Sequence, residues 1–304
     1  MQEPHDSAAS HEPGTRPLRE PEPADPTGDA PGTKPLARAG ARDAGGGRGQ
    51  LVAAALRDIG RVRQVNQDHV FALTATLPRE GGDLQMGLFI VADGMGGHEG
   101  GEVASRMAIS AAVRHVLAEL LVPALDESVS AAIRPMIVAA IQEANRAIWE
   151  HARAIGSDMG TTCTLALLLG HTLHLGHVGD TRAYLVSPRE IRRLTEDHSA
   201  VSRLIELGQL DAADAREHPM RSQLYRTVGQ QPEVAVDVVT APQGDATHLL
   251  LASDGLWSLV DDESMRAVVI GAATPQAACE ELVARANAAG GDDNISAVVV
   301  HMSS

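Results

Sequence analysis

Five aspartates stand where a carboxylate can do more than turn the chain. Asp93 closes the apolar run of LFIVADGMGGHEGGEVAS (residues 88–105), Asp254 closes that of LLLASDGLW, and Asp293 in GGDDNIS precedes a third such run. Asp180 lies in the turn of HVGDTRAYL, and Asp68 in RQVNQDHV precedes an early strand. One aspartate beside a strand is ordinarily a turn residue or a helix cap. A charge at the end of a buried strand is nevertheless costly unless a cation or several donors meet it. Five such carboxylates can converge on one cleft, where hard divalent cations with oxygen ligands make their mutual proximity tolerable. The pattern predicts a metal-binding cleft.

Five glycines follow Asp93 within eight residues. Gly94, Gly96 and Gly97 let the backbone approach an ion closely and leave carbonyls to act as ligands. Glycine-rich loops before helices also cradle phosphates. GMGGHEGGE, however, lacks the lysine of a Walker loop, its leading aspartate repels phosphate, and its spacing is not the dinucleotide fingerprint. A different phosphate chemistry is suggested by Cys279 and Arg285, which stand at the spacing of cysteine-dependent phosphatases. The intervening EELVA is helix-forming sequence that cannot wrap its amides around a phosphate. Cys279 therefore reads as a small core residue.

Such a cleft needs strands that end together. From 129 to 149 the apolar residues Val129, Ile133, Met136, Ile137, Ala140, Ile141, Ala144 and Ile148 step by three and four, predicting a long amphipathic helix. A second helix, 102–120, follows directly from the glycine-rich stretch. The period then shortens. TTCTLALLL, TLHLGHV and RAYLV are β-rich runs divided by Gly170-His171 and Gly179-Asp180, and read as an antiparallel meander. HLLLAS (248–253) and ISAVVVHM (295–302) add two buried strands. Between them TPQAACEELVARANAAGG carries Thr274 as N-cap, Pro275 at the first helical position and Gly290 past its end. Strands in hairpins and helices in pairs point to layered sheets covered by helices, not to a parallel Rossmann sheet.

Composition narrows the class further. With 304 residues and 44% hydrophobic content the chain can bury a large core, and with aromatics at 2% that core must come from Leu, Val, Ile, Met and Ala. A formal charge of −15 argues against nucleic acid, whose phosphates demand a basic face. Cys163 and Cys279, far apart and without metal-ligand spacing, fit a reduced, cytoplasmic protein with no disulfide. No apolar signal region is evident and no unbroken apolar run approaches the roughly 18 residues of a membrane span, so no membrane partner is expected. Residues 1–50 hold eight of the 16 prolines and eight of the 29 glycines, the composition of a disordered tail. Residues 51–304 are expected to form one domain.

Taken in order across residues 57–302, the motifs GRVRQVNQD, VADGMGGHEGGEVAS, MGTT, HVGDTRAYL, LTEDHS, ASDGLW and GGDDNISAVVV resemble those of the type 2C, metal-dependent serine/threonine protein phosphatases in their bacterial form. VSRLIELGQLDAADAREHPMRSQLYRTVG likewise resembles that family's flap beside the active site. The resemblance implies an α+β fold, a four-layer αββα sandwich with two central antiparallel sheets flanked by helices. It also implies that Asp93 bridges two Mn²⁺ or Mg²⁺ ions with the carbonyl of Gly94, while Asp254 and Asp293 complete the first ion's shell. Asp68 would hold water on the second, Asp180 with Asp254 would form a weaker third site, and Arg63 would bind the substrate phosphate. The chemistry fits: two ions about 3.5–4 Å apart lower the pKa of a shared water for in-line attack on phosphorus, and an arginine fork holds the remaining phosphoryl oxygens.

Three positions depart from the family pattern. Gln67 stands where some members have a glutamate near the second metal. Met95 replaces a histidine proposed as general acid in eukaryotic members, so a metal-bound water or another group must protonate the leaving oxygen; His98, three residues on, could substitute but reads more readily as an exposed loop histidine. Ser258 replaces an aspartate near the third metal. A non-catalytic phosphoprotein-binding domain of the same fold would have lost metal aspartates, and here Asp93, Asp254 and Asp293 all remain. The expected partners are phosphorylated proteins and an opposing Hanks-type Ser/Thr kinase, with the chain acting as a monomer. Because residues 1–50 supply no catalytic group, their deletion is expected to leave melting temperature and turnover of p-nitrophenyl phosphate unchanged. A large fall in either would show the tail docking on the domain.

Overall fold

The computed structural model describes residues 50–77, 82–97, 100–125, 132–211, 214 and 218–302. The expected tail (apart from Gln50) and His98 lie outside them. In chain order the strands are β1 (Val52–Asp58), β2 (Asp68–Leu77), β3 (Leu84–Met95), β4 (Gly160–Thr161), β5 (Cys163–Leu169), β6 (Thr172–Val178), β7 (Arg182–Val186), β8 (Ile191–Arg193), β9 (Asp237–Pro242), β10 (His248–Ala252) and β11 (Ile295–His301). They pair into two antiparallel sheets, β1-β11-β10-β7-β8 and β2-β3-β5-β6-β9, with β4 added beside β3.

The strands read as continuous apolar runs because both faces of each sheet are covered. Along β3, Leu88 and Ile90 turn to one core and Phe89 and Val91 to another. Phe89 and Val91 meet Leu249, Leu251, Val298 and Val300 of the other sheet, so this core lies between the sheets. Leu88 and Ile90 share the second core with α1 (Gly100–Val116) and α3 (Ile133–Ile155). After α4 (Ala200–Glu206), a third core lies under α5 (Asp254–Trp257), α6 (Asp262–Gly271) and α7 (Pro275–Ala288), against Leu250, Ala297 and Val299. Helix, sheet, sheet, helix is the expected four-layer α+β sandwich.

With so few aromatics, the outer cores are made by close approach. Ala104, Ala108 and Ala112 of α1 share one buried cluster with Ala140 and Ala144 of α3. After Val116 the helix loosens into a π-helical turn, Leu117–Leu121, and a last short helix, α2 (Val122–Leu125). By length and composition Gly100–Leu125 could cross a bilayer, but its stripe of Ala104, Ala108, Ala112, Val116, Leu120 and Ala124 is buried in this core. The long amphipathic helix is offset from its expected 129–149: α3 begins at Ile133 and runs to Ile155, where Gly156 caps it with a left-handed backbone (φ 70°). Val129 lies outside the described residues. In α7 the reading holds, with Thr274 Oγ1 accepting from the Ala277 amide at 3.1 Å and Pro275 at the first position. Cys279 is buried there and burial pushes its thiol up to about 11, so it is an inert core group.

One expectation is corrected. β5 and β6 form a hairpin, but β6 pairs next with β9 and β7 pairs with β10. The three runs are therefore not one meander, and the chain crosses from one sheet to the other at Gly179-Asp180. Runs apolar on both faces carry no alternation that would tell which sheet they join.

At the far end of the helix-covered face, His248 stands opposite His301 across β10 and β11, with ring centroids 4.9 Å apart. Burial, then the neighbouring imidazole, lowers His248 to about 4. The unfolded chain, with His near 6.5, takes up this proton first, so stability falls as pH drops from about 6.5 toward 4. Between pH 7 and pH 5 the wild-type protein is expected to lose about 1 kcal/mol more than His248→Gln, after discounting for the ring's exposure. Denaturant unfolding at the two pH values reads the difference, and equal losses would refute it.

Candidate active site

The β2–β3 register sets Asp68 directly opposite Asp93. Facing residues of antiparallel strands project to the same side, and like charges so placed repel. Burial first, and then the charges of Asp254 and Asp293, raise the Asp68 carboxyl to about 7. Asp93 is pushed well above the usual carboxylate range by burial and by Asp68, Asp254, Asp180 and Asp293. Asp180 is raised in the same way by burial and Asp254, and Asp254, at the first turn of α5, to about 6 by burial and Asp293. All five predicted aspartates therefore share one cleft. One sheet supplies Asp68 and Asp93, the other supplies Asp254 after β10 and Asp293 before β11, and the crossing turn supplies Asp180.

Arg63 closes the lip of this cleft. Its side chain is half-exposed, and Nη2 donates to Asp293 Oδ2 at 2.6 Å. Its field also reaches Asp254 and Asp93. The loop that carries Arg63 is held by Asn294, a residue to which the sequence reading gave no role. Asn294 Nδ2 donates to the carbonyls of Ile59 and Val65 at 3.0 Å each, and its Oδ1 accepts from the Gln67 amide at 2.8 Å. Polar side chains that staple a loop leave no periodic signal in the sequence.

Asp93 lies within its strand, not at the end, because β3 continues to Met95 by pairing with β4. Thr161 and Thr162 of the MGTT motif clamp its backbone. Thr161 Oγ1 and the Thr162 amide donate to the Asp93 carbonyl at 2.8 Å each, while Thr162 Oγ1 accepts from the Asp93 amide at 2.9 Å. Gly94 donates to the Gln67 carbonyl at 3.1 Å, and a Cβ on it would sit 2.0 Å from the Gly101 carbonyl oxygen. Only glycine lets β3 approach the start of α1 so closely. The departures are local: Gln67 Nε2 donates to the Gly96 carbonyl at 3.4 Å, Met95 pairs with Gly160, and Ser258 is exposed.

Among the described residues no three His, Cys, Asp or Glu side chains gather around a single point in ion-holding geometry. Asp293 is turned to Arg63, and the Asp254 carboxyl lies close to that of Asp93. The donor set nevertheless fits a hard cation. Both carboxylate oxygens of Asp68 and Oδ1 of Asp254 are buried without a hydrogen bond of good geometry, the nearby Ser296 and Ser253 hydroxyls only easing the Asp68 charge. The Asp68 main chain, by contrast, is satisfied by Asn66 and Arg57. Buried acceptors left in this state are costly, and all-oxygen sites of this kind suit Mg²⁺ or Mn²⁺.

An acidic, oxygen-lined cleft with an arginine at its lip, set at the seam of two helix-covered antiparallel sheets, is the site of a metal-dependent phosphoester hydrolase. A model of the protein phosphatase 2C family matches residues 61–286. The serine/threonine phosphatase Stp of Listeria monocytogenes is 34% identical over 251 residues, covering 80% of this chain and 92% of that protein. The crystal structure of the Mycobacterium tuberculosis serine/threonine phosphatase PstP superposes with a TM-score of 0.70 at 32% identity, covering 84% of this chain and 100% of that one. A structure of the PstP catalytic domain in complex with two manganese ions matches with a TM-score of 0.69 at 30% identity, over 84% of this chain and 100% of that one. The chain belongs to the protein phosphatase 2C family and is an enzyme of metal-dependent protein dephosphorylation.

The loop staple generates a prediction. Asn294→Ala removes three hydrogen bonds from the Arg63 loop and is expected to cost about 2 kcal/mol of stability. It should also lower kcat/KM by about tenfold through the displaced arginine. Denaturant unfolding and steady-state kinetics check both, and unchanged kcat/KM would show that the loop holds Arg63 without Asn294.

Proposed function

We propose that the chain removes phosphate from phosphoserine and phosphothreonine of proteins, and that its cleft takes two Mn²⁺ or Mg²⁺ ions tightly and a third more weakly. The observation that carries this reading is the set of buried carboxylate oxygens on Asp68 and Asp254 that make no hydrogen bond of good geometry, with Arg63 within reach of Asp254. Asp93 and the Gly94 carbonyl would be shared between the two ions, Asp254 and Asp293 would complete one shell, and Asp68 would serve the other. Asp180 with Asp254 would hold the third. When bound, the ions lower the pKa of a water for in-line attack on phosphorus and neutralise phosphoryl charge.

The chain's own residues do the rest. Arg63 has five N–H donors in a fork, and its bond to Asp293 leaves the half-exposed guanidinium facing the cleft to orient phosphoryl oxygens. Thr161 and Thr162 fix the Asp93 backbone, so its carboxylate is presented in one position. Met95 offers no proton to the leaving oxygen, so another group must supply it. We further propose a cytoplasmic monomer acting against a Hanks-type kinase, with residues 51–304 the catalytic domain. Two buried, unbridged cysteines support a reducing compartment.

Kinetics with a phosphothreonine peptide across a Mn²⁺ titration separate the roles. Asp93→Asn is expected to lower turnover by several orders of magnitude at saturating substrate and to weaken metal binding. Arg63→Ala removes a contact worth about 1.5–3 kcal/mol, so kcat/KM falls roughly ten- to a hundredfold with metal binding retained. Asp180→Ala should keep about two ions by calorimetry while turnover falls. Rescue of Arg63→Ala by metal, or of Asp93→Asn by substrate, would overturn the assignment, as would loss of all metal binding in Asp180→Ala.

A further inference from the structure

The turn that carries Asp180 is gripped through its neighbour. Gly179 adopts φ 112°, and a Cβ there would lie 2.5 Å from the Thr162 side chain, so the turn is both unusual in backbone and tightly packed. Its amide donates to His198 Nδ1 at 3.0 Å, and its carbonyl accepts from the His198 amide at 2.8 Å. Because Nδ1 accepts, Nε2 carries the ring hydrogen and donates to Asp237 Oδ2 at 3.1 Å, while Arg226 Nη1, which can only donate, lies 3.0 Å from the same Nε2. Arg226 Nη1 donates to the other oxygen of that carboxylate, Oδ1, at 2.5 Å. The ring itself is buried, with the His177 ring 4.8 Å and the Tyr225 ring 5.7 Å away.

His198 also closes the neck of an excursion of the chain. The Tyr225 amide donates to the His198 carbonyl at 2.9 Å, the Ala200 amide donates to the Gln223 carbonyl at 2.7 Å, and Ser199 bridges Leu224. Asp197, the preceding residue, serves the other side of the same turn. Its carboxylate takes both Nε (3.0 Å) and Nη2 (2.6 Å) of Arg182, whose guanidinium lies 3.4 Å from the centroid of the Trp257 ring. Trp257 Nε1 donates to the Asp180 carbonyl at 3.0 Å. The mechanism above gives His198, Asp197, Arg182 and Trp257 no role.

We propose that His198 is a positioning residue that ties the neck of the 199–225 excursion to the Gly179-Asp180 turn and so fixes the Asp180 carboxylate in the cleft. The catalytic consequence rests on the reading of Asp180 as a metal ligand, whereas the tie itself does not. Two substitutions separate the two edges of the ring. Asparagine places an acceptor near Nδ1, and glutamine places a donor near Nε2. His198→Asn therefore keeps the bond from the Gly179 amide and gives up Asp237, while His198→Gln does the reverse.

Amide exchange in the full-length, metal-free protein reads the tie directly. Exchange at Gly179 is expected to quicken about tenfold in His198→Gln and to stay near the wild-type rate in His198→Asn. With Mn²⁺ and a phosphothreonine peptide, kcat is expected to fall about tenfold in His198→Gln with KM unchanged, and by less in His198→Asn, although the two variants lose similar thermal stability. Equal exchange at Gly179 in both variants, or a kcat loss that merely follows the melting temperatures, overturns the proposal. Should neither His198 variant fold, Asp237→Ala removes only the carboxylate that orients the ring. It must quicken exchange at Gly179, and unchanged exchange there overturns the proposal as well. If Asp180→Ala binds every ion that wild type binds, the metal role of Asp180 fails while the exchange result still decides the tie.

Discussion

Two carboxylates held face to face across neighbouring strands are the constraint around which the rest of the molecule is arranged. Asp68 and Asp93 cannot relax apart, because the β2–β3 register fixes both backbones. Nor can Asp68 be hydrated, since it is wholly buried. Without a cation one of them must keep a proton, as their raised pKa values show. The repulsion is tolerated because the hydrophobic layers on either side of the sheet keep the strands in register, and a single-residue slip would turn every core side chain to the wrong face. The stability of the sandwich and the electrostatic tension of its site are in this sense one problem.

The remaining members of the site reach this pair from elements of different kinds. Asp254 and Asp293 come from the neighbouring sheet, and Asp180 from the only point in the β5–β7 region where the chain changes sheets. Neighbouring side chains secure three parts of the site: Asn294 the Arg63 loop, Thr161 and Thr162 the Asp93 backbone, and Trp257 and His198 the turn of Asp180. This division of labour is what preorganisation requires, since a charged ligand free to swing would spend its electrostatic energy on its own rearrangement.

The sequence was legible where the physics is local. Carboxylates against apolar strands are unusual enough to be noticed, and all five converge as expected. The cap of α7 follows from Thr274 and Pro275, and the layered class from hairpins and paired helices. What stayed hidden depends on distant partners. Nothing in GGDDNIS distinguishes Asn294 from an ordinary turn residue until the Ile59 and Val65 carbonyls are brought beside it. The sheet to which β7 belongs is invisible because strands buried on both faces lose their alternation. The continuation of β3 past Asp93 depends on β4, a strand of two residues too short to announce itself.

The position of β11 carries a consequence for how the enzyme comes into being. It lies between β1 and β10, so the first described strand finds its partner only when the last has been made, and Asp293 arrives with it. During synthesis the sheet of β2, β3, β5, β6 and β9 can close first, with Asp68 and Asp93 already opposed, while β1 waits without a neighbour. Contacts of such long sequence separation form late and slowly. A nascent chain thus brings Asp293 to the cleft only in the event that seals its second sheet.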